Sequence, residues 1–240
     1  MRIAVLSDIH GNLPALEAVL TALRPFDAIW QLGDIVGYGP QPDEVVDRLR
    51  ASDATGVRGN HDAAAIGELD TDAFNHDART AVHWTAGHIK AATRAWLHAL
   101  PETATEGEFT LVHGSPRDPT WEYLLTAAAA RANMATMATT HAFVGHTHVP
   151  RVFREEGGKI DTLAPEDRSI VEVDGRRMLL NPGSVGQPRD GDPRASAALL
   201  DTDAHTVEWR RVDYDIAATQ ERMRAAGLPR RLVERLERGQ

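Results

Sequence analysis

At 240 residues the chain can bury a substantial core, and its 42 % hydrophobic and 25 % charged composition is that of an ordinary globular protein. Cysteine is absent, which excludes a disulfide framework and any thiolate metal site and fits a cytoplasmic protein. A net charge of −9 argues against general nucleic-acid binding, and the sequence has no run of about 18 apolar residues to span a bilayer.

The first half alternates strand and helix patterns. Residues 2–7 form a short apolar run of strand length, Asn12 is placed to cap a helix, and periodic apolar residues continue over 13–23. A second strand is predicted over 28–32. Pro42 opens a helix over 43–51, where its missing N–H costs nothing, and a third strand follows over 54–57. This βαβαβ rhythm predicts a parallel sheet with right-handed crossovers. Residues 63–100, rich in Ala, read as mostly helical. A strand over 109–113, a helix over 124–139 and a strand over 142–145 follow.

From there the pattern becomes strand after strand: 151–154, 169–173, 177–180, 195–201 and 206–212. Asp174-Gly175 is a two-residue hairpin signal. Residues 155–168 read as a loop that either covers a site or forms an interface, as does the helical stretch 63–100. Two helices, 216–226 and 230–238, are divided by Gly227 and Pro229. Residues 210–240 carry eight Arg against five Asp and Glu, which reads as a solvated helix face with alternating signs. No repeat or Pro/Gly linker divides the chain, so residues 1–240 are read as one domain.

Five polar segments stand at predicted strand ends: Asp8-Ile9-His10, Gly33-Asp34, Gly59-Asn60-His61-Asp62, His113-Gly114 and Gly145-His146-Thr147-His148. In open α/β sheets, sites collect at the carboxyl ends of strands, so these segments are expected on one rim. Asp, His and Asn without softer donors suit Mn, Fe, Zn, Ni or Co. An Asp-x-His pair at a strand end can aim both side chains at one ion. A His-x-His pair on extended backbone presents both rings to one side. Each segment alone has a plainer reading as a cap, a turn or a hydrogen-bonded core histidine. Five in order, each after a strand, point to a metal site.

In order and spacing these segments resemble the calcineurin-like metallophosphoesterase superfamily. Asn181-Pro182-Gly183-Ser184 resembles a segment of its small phosphodiesterase-like members, and His113-Gly114-Ser115-Pro116-Arg117-Asp118 and Gln187-Pro188-Arg189-Asp190-Gly191-Asp192 resemble the branch related to diadenosine tetraphosphatases and protein phosphatases. The resemblance implies a four-layer α/β/β/α sandwich with two mixed sheets packed face to face, the strand-rich second half suiting the second sheet. It implies two divalent ions, Mn foremost, one on Asp8, His10 and His148 and the other on Asn60, His113 and His146, with Asp34 bridging. It further implies hydrolysis of a small phosphorylated substrate by a bridging hydroxide, since coordination lowers the pKa of water from 15.7 to about 7. Two carboxylates against two divalent ions leave the site positive toward an anion.

His61 follows a ligand position and is assigned as general acid or as a cation at the transition state. Asp62 either orients His61 or caps the next helix. Arg117 and Arg189, in Pro/Gly-rich loops, either hold phosphate oxygens or pair with Asp118 and Asp190. Trp121 and Tyr123 are core residues or the wall of a base-binding pocket. A non-catalytic scaffold of the same fold is the rival reading, and retention of all seven ligand positions and His61 speaks against it.

Overall fold

The computed structural model describes residues 1–240. The first half runs β1 (Arg2–Leu6), α1 (Leu13–Ala22), β2 (Ala28–Gln31), α2 (Pro42–Arg50), β3 (Thr55–Gly56) and α3 (Asn60–Ala65). Next come α4 (His76–His88), α5 (Ala91–Ala99), β4 (Thr103–Glu106), β5 (Phe109–Val112), α6 (Ala127–Met134) and β6 (His141–Phe143). The remainder comprises β7 (Arg151–Glu156), β8 (Lys159–Leu163), β9 (Ile170–Glu172), β10 (Met178–Asn181), β11 (Ala195–Asp201) and β12 (Thr206–Val212). It closes with α7 (Ile216–Ala225), α8 (Arg230–Arg235) and a 3₁₀ turn at Leu236–Arg238.

Two six-stranded mixed sheets result, in the orders β3-β2-β1-β11-β12-β9 and β4-β5-β6-β10-β7-β8. The halves of the chain do not each own a sheet, contrary to the sequence reading. β11 returns to pair antiparallel with β1, matching Ile3 with Leu200, while β10 inserts between β6 and β7. Only pairing across the whole chain covers both edges of β1.

Strand alternation explains the layering. Ile3 and Val5 enter the core between the sheets with Trp30, Leu111, Phe143, Leu180 and Trp209, whereas Ala4 and Leu6 face α1 and α2. On the second sheet Leu179, Ala142 and Val112 face α6 instead. Strands buried on both faces read as unbroken apolar runs, and this one fact yields helix, sheet, sheet and helix layers.

Two strands escaped the sequence reading. β4 is a polar strand at one edge of its sheet, and Gly107, left-handed at φ +59, turns the chain into β5. β8 pairs with β7 across Gly157-Gly158, both left-handed at φ +54 and +74, so residues 155–168 are not a loop. Conversely, Asp174-Gly175 closes no hairpin. It carries the chain from β9 in one sheet to β10 in the other, and the Asp174 carboxylate takes the backbone N–H of Arg176 at 2.9 Å. The stretch 63–100 is mostly helical, carried by the end of α3 and by α4 and α5. α4 packs with α7 and α8 through Ala78, Val82, Met223 and Leu232.

Candidate metal centre

The rim beyond the ends of β1, β2, β5 and β6 carries the polar segments. The backbone bends sharply there, since Asp8, His10, Asp34, His146 and His148 all have positive φ, between 50° and 65°. Each such residue costs on the order of 1–3 kcal/mol, and here the surrounding structure enforces it. Ser184 Oγ donates to the carbonyl of Asp8 at 2.8 Å, and Gly186 N–H does so at 2.9 Å. Asn181 Nδ2 donates to the carbonyl of Gly145 at 2.8 Å. The Asn-Pro-Gly-Ser segment therefore laces the ends of β1 and β6 together.

The structure brings Asp8, His10, Asp34 and His148 together, their ligand atoms within 4.8 Å of one another. A second group, Asp34, His113 and His146, meets the same criterion, and Asn60 Oδ1 lies 3.0 Å from His113 Nε2. Asp34 belongs to both groups. His146 and His148 go to different groups that meet at Asp34, whereas the His-x-His reading carries the expectation of an extended pair. Their left-handed backbone is not the extended geometry that expectation needs.

Backbone carbonyls set the tautomers. His10 Nδ1 lies 3.1 Å from the carbonyl of Val36, His113 Nδ1 2.9 Å from that of Leu32, and His148 Nδ1 2.6 Å from that of Gln187. A proton on each Nδ1 leaves each Nε2 lone pair aimed inward, as second-layer partners of metal-ligating histidines do. The Nε2 atoms of His10 and His148 then face each other at 3.2 Å, and His148 Nε2 lies 3.3 Å from Asp8 Oδ1, which is buried without a hydrogen-bond partner. Converging lone pairs and carboxylates, with no Lys or Arg paired to them, are a donor set that fits divalent cations.

The titrations express the same demand for positive charge. Burial pushes Asp34 up, but His113 and His61 outweigh it and hold the carboxyl well below its usual range. Burial pulls His113 down, yet the charge and hydrogen bond of Asp34 raise it to about 9. His10 falls well below its ordinary value through burial, and burial with His113 beside it pulls His146 to about 3.

His61 is buried beside this centre. Its ring lies between Tyr38, at 4.3 Å centroid separation, and Phe74 at 4.9 Å, with His10 at 4.9 Å. Burial pulls it down to about 4 against the pull of Asp34, and Nδ1 has no hydrogen-bond partner. Asp62 makes no hydrogen bond to the His61 ring. One of its oxygens takes the N–H groups of Ile35 and Val36, each at 2.9 Å, and the other caps α3 through Gly59 N–H at 3.0 Å. It thereby staples the Asp34 loop to the Asn60 loop. Burial and the Asp34 charge push its carboxyl up to about 7 against those N–H groups.

The two arginines separate. Arg117 is paired with Glu122 and lies outside the walls of the cavity over the centre. Arg189 lines that cavity of about 80 Å³ with Trp121 and Tyr123. It donates to Gln187 Oε1 at 3.0 Å and Tyr38 Oη at 3.4 Å, while Asp190 pairs with Arg211 instead. Tyr123 stacks on His146 at 3.9 Å, and Trp121 packs against Phe74. Sequence reasoning missed Tyr38 and Phe74. Tyr38 carried a signal, an aromatic flanked by Gly37 and Gly39 just after Gly33-Asp34. A Cβ on Gly39 would stand 2.1 Å from the carbonyl of His10, so the tight path there is required.

A profile of the calcineurin-like phosphoesterase superfamily domain matches residues 1–205. An uncharacterised protein of Methanocaldococcus jannaschii is 40 % identical, over 98 % of this chain and 96 % of its own length. Phosphodiesterase YfcE of Escherichia coli is 29 % identical, over 86 % of this chain and 91 % of its own. Among solved structures, a metallophosphoesterase from Sphaerobacter thermophilus superposes with a TM-score of 0.92 at 48 % identity, covering 100 % of this chain and 99 % of that one.

Proposed function

This chain belongs to the calcineurin-like phosphoesterase superfamily, and we propose that within it the protein is a dinuclear, manganese-dependent phosphodiesterase or phosphatase acting in the cytoplasm. The observation that carries this reading is the pair of buried Asp/His groups meeting at Asp34. Asp8, His10 and His148 would hold one ion, Asn60, His113 and His146 the other, and Asp34 both. When bound, such ions supply positive charge for phosphoryl oxygens and acidify water for attack on phosphorus. Because β1 and β11 come from opposite ends of the chain and pair, residues 1–240 are taken as one catalytic unit.

The chain's own residues supply the rest. Tyr38, Phe74 and the close approach of Gly37 clamp the His61 ring at the cavity floor. Burial keeps that ring neutral in the free site, and an arriving anion raises its proton affinity. His61 is thus set to donate a proton to the leaving oxygen once substrate is seated. Arg189, whose Nε is buried without a partner, presents a fixed guanidinium to a non-bridging phosphate oxygen. Asp62 acts through the backbone, keeping the Asp34 and Asn60 loops in register.

The test is hydrolysis of bis-p-nitrophenyl phosphate and p-nitrophenyl phosphate by metal-stripped protein with Mn²⁺ restored, beside Asp34→Asn and His61→Ala. Asp34→Asn is expected to abolish turnover and lower bound metal, and His61→Ala to slow turnover about 10²–10⁴-fold with metal retained. Folded wild-type protein that turns over neither ester with any divalent ion would overturn the reading.

A further inference from the structure

A cavity of about 610 Å³ adjoins the smaller one over the metal centre, and the two share Tyr38, Asn75, Tyr123 and Arg189. Its far wall is the C-terminal segment, where Arg231, Arg235 and Arg238 all face the cavity. Arg231 and Arg235, at i and i+4, share one face of α8, and Arg238 follows on the 3₁₀ turn. Neighbouring Arg230 points elsewhere, pairing with Glu234 at 90 % side-chain exposure. The basic tail is therefore not a uniformly solvated face, since one stripe of it is turned toward the site.

Charge in this cavity is unbalanced. Among the ion pairs of the molecule, none engages Arg189, Arg231, Arg235 or Arg238. Asp77 and Glu234 also line the wall; Glu234 is paired with Arg230, while Asp77 has only the exposed ring of His76 beside it, at 3.5 Å, and offsets part of the charge on Arg235. Arg235 is half-buried, donates to the main-chain oxygen of the last residue, Gln240, and is pulled down to about 10 by burial and by the charge of Arg189. Four guanidinium groups outnumber the carboxylates of this cavity, and Glu234 is shared with Arg230, so the wall is net positive in a chain of net charge −9. An anion offsets that charge, and planar guanidinium forks suit phosphate best.

We propose that Arg231, Arg235 and Arg238, with Arg189 at the junction, form a second phosphate subsite, so that the preferred substrate carries a further phosphate beyond the scissile one. This rests on the phosphoesterase reading above and narrows it. The scissile group sits over the metal cluster, the connecting group passes Tyr38 and Tyr123, and the second phosphate meets the arginine stripe.

The experiment uses the full chain loaded with Mn²⁺ and two esters, thymidine 5′-(p-nitrophenyl phosphate) with and without a 3′-phosphate. The 3′-phosphate is expected to raise kcat/KM about ten-fold or more, chiefly through KM, the effect of one charge-assisted contact. The Arg231→Gln, Arg235→Gln double variant is expected to erase that preference. Arg231→Gln alone, at an exposed position, is expected to reduce it with the fold intact. Wild-type enzyme without the preference, or a preference that survives the double variant, would overturn the subsite. Should neither ester be turned over, calorimetric binding of thymidine 3′,5′-bisphosphate against thymidine 5′-monophosphate decides separately. Tighter binding of the bisphosphate, lost in the variant, supports the subsite, and equal affinities refute it.

Discussion

Gly59→Ala isolates the role of close backbone approach at the metal centre. Gly59 has φ −94° and ψ 176°, a conformation alanine adopts freely, so backbone strain is not at issue. The difficulty is space. An added Cβ would stand 2.1 Å from Asp34 Oδ1 and 2.3 Å from Asp34 N, where contacts under 3.0 Å essentially never occur. The Asp34 and Asn60 segments must part by about 1 Å, and a misplacement of that size in a reacting site costs about 10²-fold in rate. The same shift strains the 2.8 Å bond from His61 N–H to Asp34 Oδ1. Overpacking adds a stability loss of roughly 1–3 kcal/mol. The assay is kcat on bis-p-nitrophenyl phosphate across a Mn²⁺ titration, with a urea unfolding curve for each protein. Gly87→Ala in α4 is the control. It meets nothing within 4 Å and is expected to stabilise by roughly 0.5–1 kcal/mol. A Gly59→Ala enzyme with kcat within about three-fold of wild type would refute the reasoning.

Gln31 is fully buried, donating to the carbonyl of Val57 at 3.0 Å and accepting from Gly33 N–H at 2.7 Å. Gln31→Leu orphans both backbone groups and should cost about 2–6 kcal/mol in urea unfolding, with a loss under about 1 kcal/mol counting against it. Arg189→Ala should lower kcat/KM roughly ten- to a hundred-fold, the worth of a charged hydrogen bond, whereas Arg117→Ala should leave it within about two-fold. Equal effects would show that the cavity walls have been misjudged. Burial would raise Glu122, but Arg117, Ser115 and Asn133 outweigh it and hold its carboxyl at about 2, below the ordinary 4.5. Its stabilising contribution is thus present above pH 4.5 and lost as pH falls toward 2. Glu122→Gln should flatten that part of the pH–stability curve, and an unchanged acid limb would contradict the assignment.

The elements and the polar residues at their ends were legible in the sequence because both signals are local. Ile3 and Val5 alternate with Ala4 and Leu6 whatever they pair with, and Asp8-x-His10 follows that run whichever sheet receives it. The pairing of β1 with β11 and the insertion of β10 between β6 and β7 were not legible, since contacts across most of the chain leave no periodic trace. The His-x-His pair shows the same limit. Its spacing names two candidate ligands, but the left-handed backbone at both, beside the Asn181 bonds to Gly145 and Thr147, is a feature that spacing does not carry. Spacing also could not tell Arg117 from Arg189, two similar loop arginines. Glu122 takes the first, while the fold turns the second toward Tyr38 and the cavity. Residue chemistry and local period are properties of the sequence itself. Which carboxylate reaches which cation, and which face of the C-terminal helix meets the site, depend on distances set only once both sheets have closed.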